Sequence, residues 1–220
     1  MRELEDLIDT NDPGISLVRD WASAKGANAS TILPPDEALR RQTLLRLQVT
    51  TRSILGALVH DTGGILIDGG RLRLLGSGAA RSLLACNEAA GGMRTGAPDD
   101  FLIVADDILG GLFALNGGRF GRDAPGNVFY LAADQLVWRH LDAGYSDFVS
   151  WCLTGDLGSL YERFAAFQVF GLAAPPLQKV YSFYPFLWTR EGSGRSPDAR
   201  LIDADEGVRL RLEMAGFEAD

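Results

Sequence analysis

The sequence predicts an α+β fold: a mainly antiparallel twisted sheet with flanking helices. Between Asp99 and Trp151 three short β-like runs follow one another, with turn signals between them. An aromatic-bearing helical segment starting near Ser146 comes next. Helix-period segments stand before these strands and after them, and such segregation points to α+β rather than alternating α/β. No internal repeat interrupts the pattern.

The elements follow in order. Residues 12–24 read as a helix, with Asp12 placed to cap, Pro13 at the first helical position, and Leu17, Val18, Trp21 and Ala24 at helix spacing. Gly26 and Asn28 end it. A second, long helix enters through Pro34-Pro35-Asp36-Glu37, with acids near the positive end of its dipole. Leu44, Leu47, Ile54, Leu55 and Leu58 then share a face, and Gly63-Gly64 stops it. Ile65–Asp68 and Arg71–Leu75 form a hairpin about Gly69-Gly70. Residues 79–90 read as a short helix and 91–100 as a loop.

The meander begins at Phe101–Ala105, a continuous apolar run that suits a central strand. Leu109–Leu115 contains Gly110 and Gly111, which predict a bulge or a close backbone approach. A connection from Asn116-Gly117-Gly118 leads to a strand at Val128–Leu131, and Leu136–Trp138 continues the sheet. Helices over 146–153 and 156–170 start at Ser146 and Asp156 as caps. Gln178–Trp188 suits a strand or an extended arm, and 191–198 a flexible loop. Val208, Leu210, Leu212 and Met214 alternate like a strand, but Asp205-Glu206 opens the segment as a helix would, and the helix is favoured.

At 220 residues the chain is expected to form one domain spanning 1–220. A chain of this size buries roughly 70% of its unfolded surface and needs neither disulfide nor metal to fold. Cys86 and Cys152 stand far apart, as two buried free thiols would. No cofactor and no metal are expected. No apolar run approaches the ~20 residues of a membrane span, and MRELEDLID lacks a signal-peptide layout, so a cytoplasmic protein without membrane association is expected. A net charge of −8 repels phosphate backbones, which argues against nucleic acid; a basic protein partner fits it.

Several residue sets could carry chemistry. The Gly76-Ser77-Gly78 turn between a strand and a helix resembles an anion-binding turn, but Arg81 stands where the dinucleotide fingerprint needs a small residue. His60-Asp61 has no nucleophile beside it, and His140 follows the last strand. Asp99, Asp100, Asp106 and Asp107 bracket the strand 101–105. They read as turn residues, or else as a carboxylate set able to bind a cation or do acid–base work in a small-molecule or metal-dependent hydrolase. Asp106 and Asp107 are the members chosen as binding candidates. Tyr181, Tyr184, Phe186 and Trp188 read as core, or as anchors of a protein interface, since Tyr and Trp dominate hot spots. The same segment could form a two-fold homodimer.

The order of segments adds a resemblance. LPPDEAL at 33–39, HDTGG, LRLLG, FLIVADDILGGLFALNGG, GNVFYLAADQLVWRHLDAGYSDFVSW and YPFLWT at 184–189 resemble a bacterial family known as domain of unknown function 2625. Residues 31–170 are also similar in layout to the SUKH superfamily, preceded here by a helical segment over 1–30 and followed by an aromatic extension over 171–220. That resemblance implies a SUKH-like sheet with helices packed on it. It also implies a non-catalytic protein-interaction module of immunity type, whose partner is a basic protein such as a toxin. The hydrolase built on the Asp99–Asp107 cluster is the competing expectation.

Overall fold

The computed structural model describes residues 1–91, 100–162, 164, 171–193 and 197–217. Seven strands form one sheet in sequence order: β1 (Ser30–Leu33), β2 (Gly64–Ile67), β3 (Leu72–Leu75), β4 (Phe101–Asp107), β5 (Leu112–Asn116), β6 (Asn127–Leu131) and β7 (Arg139–Gly144). Every neighbouring pair is antiparallel. A separate two-stranded ribbon joins β8 (Lys179–Tyr184) to β9 (Asp198–Asp203). The helices are α1 (Leu4–Leu7), α2 (Ile15–Ser23), α3 (Glu37–Leu47), α4 (Ile54–Asp61), α5 (Leu83–Ala89), α6 (Tyr145–Thr154), α7 (Leu157–Tyr161), α8 (Arg190–Ser193) and α9 (Ala204–Met214).

The predicted α+β class is the observed one. Strand alternation divides the core into two layers. Phe113 and its register partner Tyr130 stack at 4.3 Å, and Phe113 meets Phe148 of α6 at 5.1 Å. On the other face Ala114 lies opposite Phe129, which stacks on Phe120 at 4.7 Å. Phe101, Trp138 and Phe217 extend that aromatic layer.

The hairpin around Gly69-Gly70 is present as predicted. Asp68, Gly69 and Gly70 all take positive φ there. The final segment is the helix α9, with Asp203 accepting from the Asp205 and Glu206 N–H groups.

Some boundaries differ from expectation. The long helix expected between Pro34 and the Gly63-Gly64 stop is two helices, α3 and α4, because Gln48 turns left-handed (φ 55) and the next five residues leave the helix. Tertiary bonds impose the break: Thr51 N–H donates to Leu7 O at 2.8 Å and Thr51 O accepts from Gly14 N–H at 2.8 Å. Ser53 restarts the chain as the cap of α4. Asp12 pairs with Arg52 instead of capping α2, and Leu17 is exposed. Gly144, not Ser146, precedes α6. A bulge lies in β4, between Ile103 and Ala105, while at Gly110-Gly111 the expected alternative of a close backbone approach is what occurs. The strand after β6 is Arg139–Gly144, later than 136–138. The short elements α1, β1 and α8 carry too few residues to show a period. Most of the 91–100 loop, the second half of the 156–170 helix and residues 194–196 lie outside the described residues.

Asn87 explains how β4 ends its partnership with β3. β3 pairs only with Ala105–Asp107, so the start of β4 lacks a neighbour on that side. The Asn87 amide replaces it: Nδ2 donates to Ile103 O and Oδ1 accepts from Ile103 N–H, both at 2.8 Å. Asn87→Leu is expected to strand a buried donor and a buried acceptor. The loss is about 2–4 kcal/mol, read as a lower urea midpoint with an unchanged slope.

Candidate functional site

Three charged side chains meet in a buried cluster beside the β3–β4 pairing. Arg73 and Asp106 face each other in the β3–β4 register, and Arg73 Nε donates to Asp106 Oδ1 at 2.7 Å. The second oxygen, Oδ2, is in ion-pair contact with Arg81 Nη1. These side chains are 2%, 1% and 4% exposed, so the three charges form a dry triad. Arg73 also donates to Lys179 O of β8 at 2.9 Å, and Arg81 Nε lies 4.0 Å from Asp205 of α9. The triad therefore reaches from the sheet into the C-terminal segment. Burial pulls the Arg81 pKa down, but Asp106, Cys86 and Asp205 outweigh it and hold the guanidinium charged. Burial pushes the Cys86 thiol up to about 12, which leaves it a neutral packing group at neutral pH.

Asp107 faces the other way and closes the turn into β5. Its Oδ1 accepts from Leu109 N–H at 2.9 Å and Gly111 N–H at 2.8 Å; Tyr130 OH donates to Oδ2 at 3.0 Å. A Cβ on Gly111 would collide with that carboxylate, which is the close backbone approach its glycine predicts. Burial raises the Asp107 pKa, against the pull of the Gly111 and Tyr130 bonds.

Arg211 of α9 is the third buried cation. It donates to Ala132 O at 2.7 Å and Gln135 O at 2.5 Å, and its guanidinium lies 4.4 Å from the Trp188 ring centre. Burial lowers its pKa to about 10, so it stays charged at neutral pH. Trp188 in turn stacks on Phe186 at 4.4 Å. The ribbon is fixed from below by Tyr181 N–H donating to Ile108 O at 2.9 Å. The space between the ribbon, Leu109-Gly110 and Arg211 amounts to about 20 Å³, room for a water rather than a substrate.

The candidate residues are thus distributed. Asp106 and Asp107 are buried, with carboxylates engaged by the partners above. Asp100 Oδ1 accepts from Phe101 N–H at the opposite end of β4, and Asp99 lies outside the described residues. Among the described residues no group of three or more His, Cys, Asp or Glu is placed to hold a metal ion. His60 Nδ1 lies 3.0 Å from Asp61 Oδ1 on α4, whereas His140 on β7 contacts Asn127 and Asp142 and stacks on Phe129. Ser77 is buried, its hydroxyl donating to Val59 O at 2.6 Å. The aromatic candidates divide. Tyr181, Phe186 and Trp188 are half-buried, while Tyr184 is 74% exposed. Sequence reasoning missed Arg73, Arg81 and Arg211 as buried cations, and missed Leu201 on β9, which is 48% exposed.

Residues 4–204 match the family described as "Protein of unknown function DUF2625". The chain belongs to this family. The matched span takes in all seven sheet strands, the Arg73–Asp106–Arg81 triad and both strands of the ribbon. A "Putative uncharacterized protein YbfG" of Escherichia coli (strain K12) is 40% identical over 224 residues, 97% of each chain. An "Uncharacterized protein" of Haemophilus influenzae is 34% identical over 165 residues, 74% of this chain and 72% of that one. Among the described residues no helix is long and apolar enough to cross a membrane.

Proposed function

We propose that this family member is a non-catalytic protein-interaction module that docks another protein at the aromatic corner of its C-terminal ribbon. The observation that carries the reading is Tyr184, 74% exposed at the end of β8 and followed by the half-buried Phe186–Trp188 stack. An exposed tyrosine on a rigid aromatic base offers a large contact area with little side-chain entropy to lose. Arg211 beneath Trp188 keeps that base in place. The engaged carboxylates of Asp106 and Asp107 favour docking over hydrolysis. The net charge of −8 suits a basic partner, and the SUKH-like layout of residues 31–170 supports the immunity-type form, with a toxin as that partner.

Affinity capture with the full chain and with Tyr184→Ala, at low and high salt, tests this. The expected result is a basic protein retained by the wild type, lost at high salt, and weakened about 30-fold by Tyr184→Ala, as for a hot-spot residue. For the immunity-type form, the captured protein is expected to arrest growth when expressed without this chain. Equal retention by Tyr184→Ala would overturn the aromatic corner as the docking site.

A further inference from the structure

Four strands of this fold have an edge that no other described strand covers: β1, β7, β8 and β9. The outer edge of β8 is met by the β4–β5 turn, with Tyr181 N–H donating to Ile108 O at 2.9 Å. Exposed edges pair with other chains unless they are short, bulged or charged. β1 is four residues long. β7 is interrupted, since its register with β6 shifts between Asn127 and Phe129 and Asp142 takes φ 52. β9 is neither short nor bulged, and its charges, Asp198, Arg200 and Asp203, are of both signs, so they bar some registers and leave others open. All six of its residues pair with β8 in unbroken register, and five of the six are exposed.

From this edge we infer that β9 pairs antiparallel with β9 of a second copy of this chain, about a two-fold axis through Leu201. The inference uses a different part of the ribbon from the Tyr184 corner, so either can fail without the other. The choice of axis follows from strand geometry and charge. Residues directly opposite in an antiparallel pair point to the same face, so a two-fold must pass through a residue position rather than between two. An axis through Arg200 sets two guanidinium groups opposite each other, which is repulsive. One through Ala199 draws Pro197, which has no N–H to give, into the ladder. One through Ile202 runs the ladder into Ala204, the first residue of α9.

An axis through Leu201 aligns residues 199–203 with no like charges directly opposed. Ala199 then faces Asp203, Arg200 faces Ile202, and Leu201 faces itself. Because Tyr181 is the β8 partner of Leu201, one face of the joined sheet carries a continuous apolar row: Tyr181, Leu201, Leu201 of the second copy and Tyr181 of the second copy. Burying that row removes the exposed leucine from water. A junction this narrow falls below the area of a stable interface, so the dimer is a concentration-dependent one.

The test is crosslinking of the full chain. The native thiols Cys86 and Cys152 are buried and give little background. Under oxidised glutathione, which accepts the two electrons of disulfide formation and is released as two reduced molecules, Leu201→Cys is expected to yield a covalent dimer. Directly opposed strand residues lie within disulfide reach. Ala199→Cys, offset by four residues from its own copy, is expected to crosslink at least tenfold more slowly. Sedimentation of the uncrosslinked wild type should show dimer increasing with concentration. Leu201→Asp and Leu201→Lys should each be monomeric and should associate when mixed. A wild type that stays monomeric at high concentration, crosslinking equal at 199 and 201, or no association of the Asp and Lys variants would overturn the inference.

Discussion

Asp106→Ala is expected to lower the unfolding free energy by about 3–5 kcal/mol, the scale for removing one partner of a buried ion pair. The effect arises because Arg73 and Arg81, 2% and 4% exposed at the side chain, share this carboxylate, and neither has water to replace it. For a chain of this length the same loss lowers Tm by roughly 10 °C. Urea denaturation of wild type and variant checks it. Replacing all three members with apolar residues of similar volume should recover much of the loss, since a buried triad without its ions leaves no uncompensated charge. A loss below about 1 kcal/mol for Asp106→Ala would mean that water reaches the guanidinium groups.

Asp107 gives a second large effect with a pH signature. Asp107→Ala strands the Leu109 N–H, the Gly111 N–H and the Tyr130 hydroxyl in a dry site, a loss of roughly 3–6 kcal/mol. Asp107→Asn keeps an oxygen for both amides and an amine for the tyrosine, so its loss should be the smaller. The sign with pH follows from linkage. Burial raises the folded pKa of Asp107 above its ordinary value of 3.8. The stability tied to its protonation is therefore complete below that value and declines as pH rises through the folded value. Asparagine does not titrate. The wild type should lose ground to Asp107→Asn as pH rises from 4 toward neutrality, in paired denaturation curves. A difference that is flat with pH, or of opposite sign, would contradict a buried, desolvated carboxyl.

The same two residues show what the sequence could and could not reveal. Their position after an apolar strand was plain, and so was the glycine-bearing turn that follows. A shared role was not available to them, because adjacent residues on a strand point to opposite faces. Asp106 accordingly meets arginines on β3 and in the turn before α5, while Asp107 meets Tyr130 and its own turn. The hairpin at Gly69-Gly70, the strand at Phe101 and the helix opened by Asp205-Glu206 were legible because each is set by a local turn, a period or a cap. The break between α3 and α4 was not, since the apolar spacing of Leu44, Leu47, Ile54 and Leu58 runs through it and the carbonyl that stops the helix belongs to Leu7. Nothing local marks Arg73, Arg81 and Arg211 for burial; only the tertiary fold brings the carboxylate and carbonyls that let them be buried. Tyr181, Tyr184, Phe186 and Trp188 were legible as a group, but their division into a packed base and one exposed ring depends on Arg211, thirty positions away from Tyr181.

The Arg73–Asp106–Arg81 triad, through its contacts with Lys179 and Asp205, fastens the β8–β9 ribbon and α9 to the sheet. Amide hydrogen exchange on the wild type and on Asp106→Asn tests it most directly. The account predicts that amides of β8, β9 and α9 lose protection together in the variant, while those of β2 to β6 still exchange only through the slowest opening. Unchanged protection in the ribbon and α9, with faster exchange confined to the sheet, would contradict it.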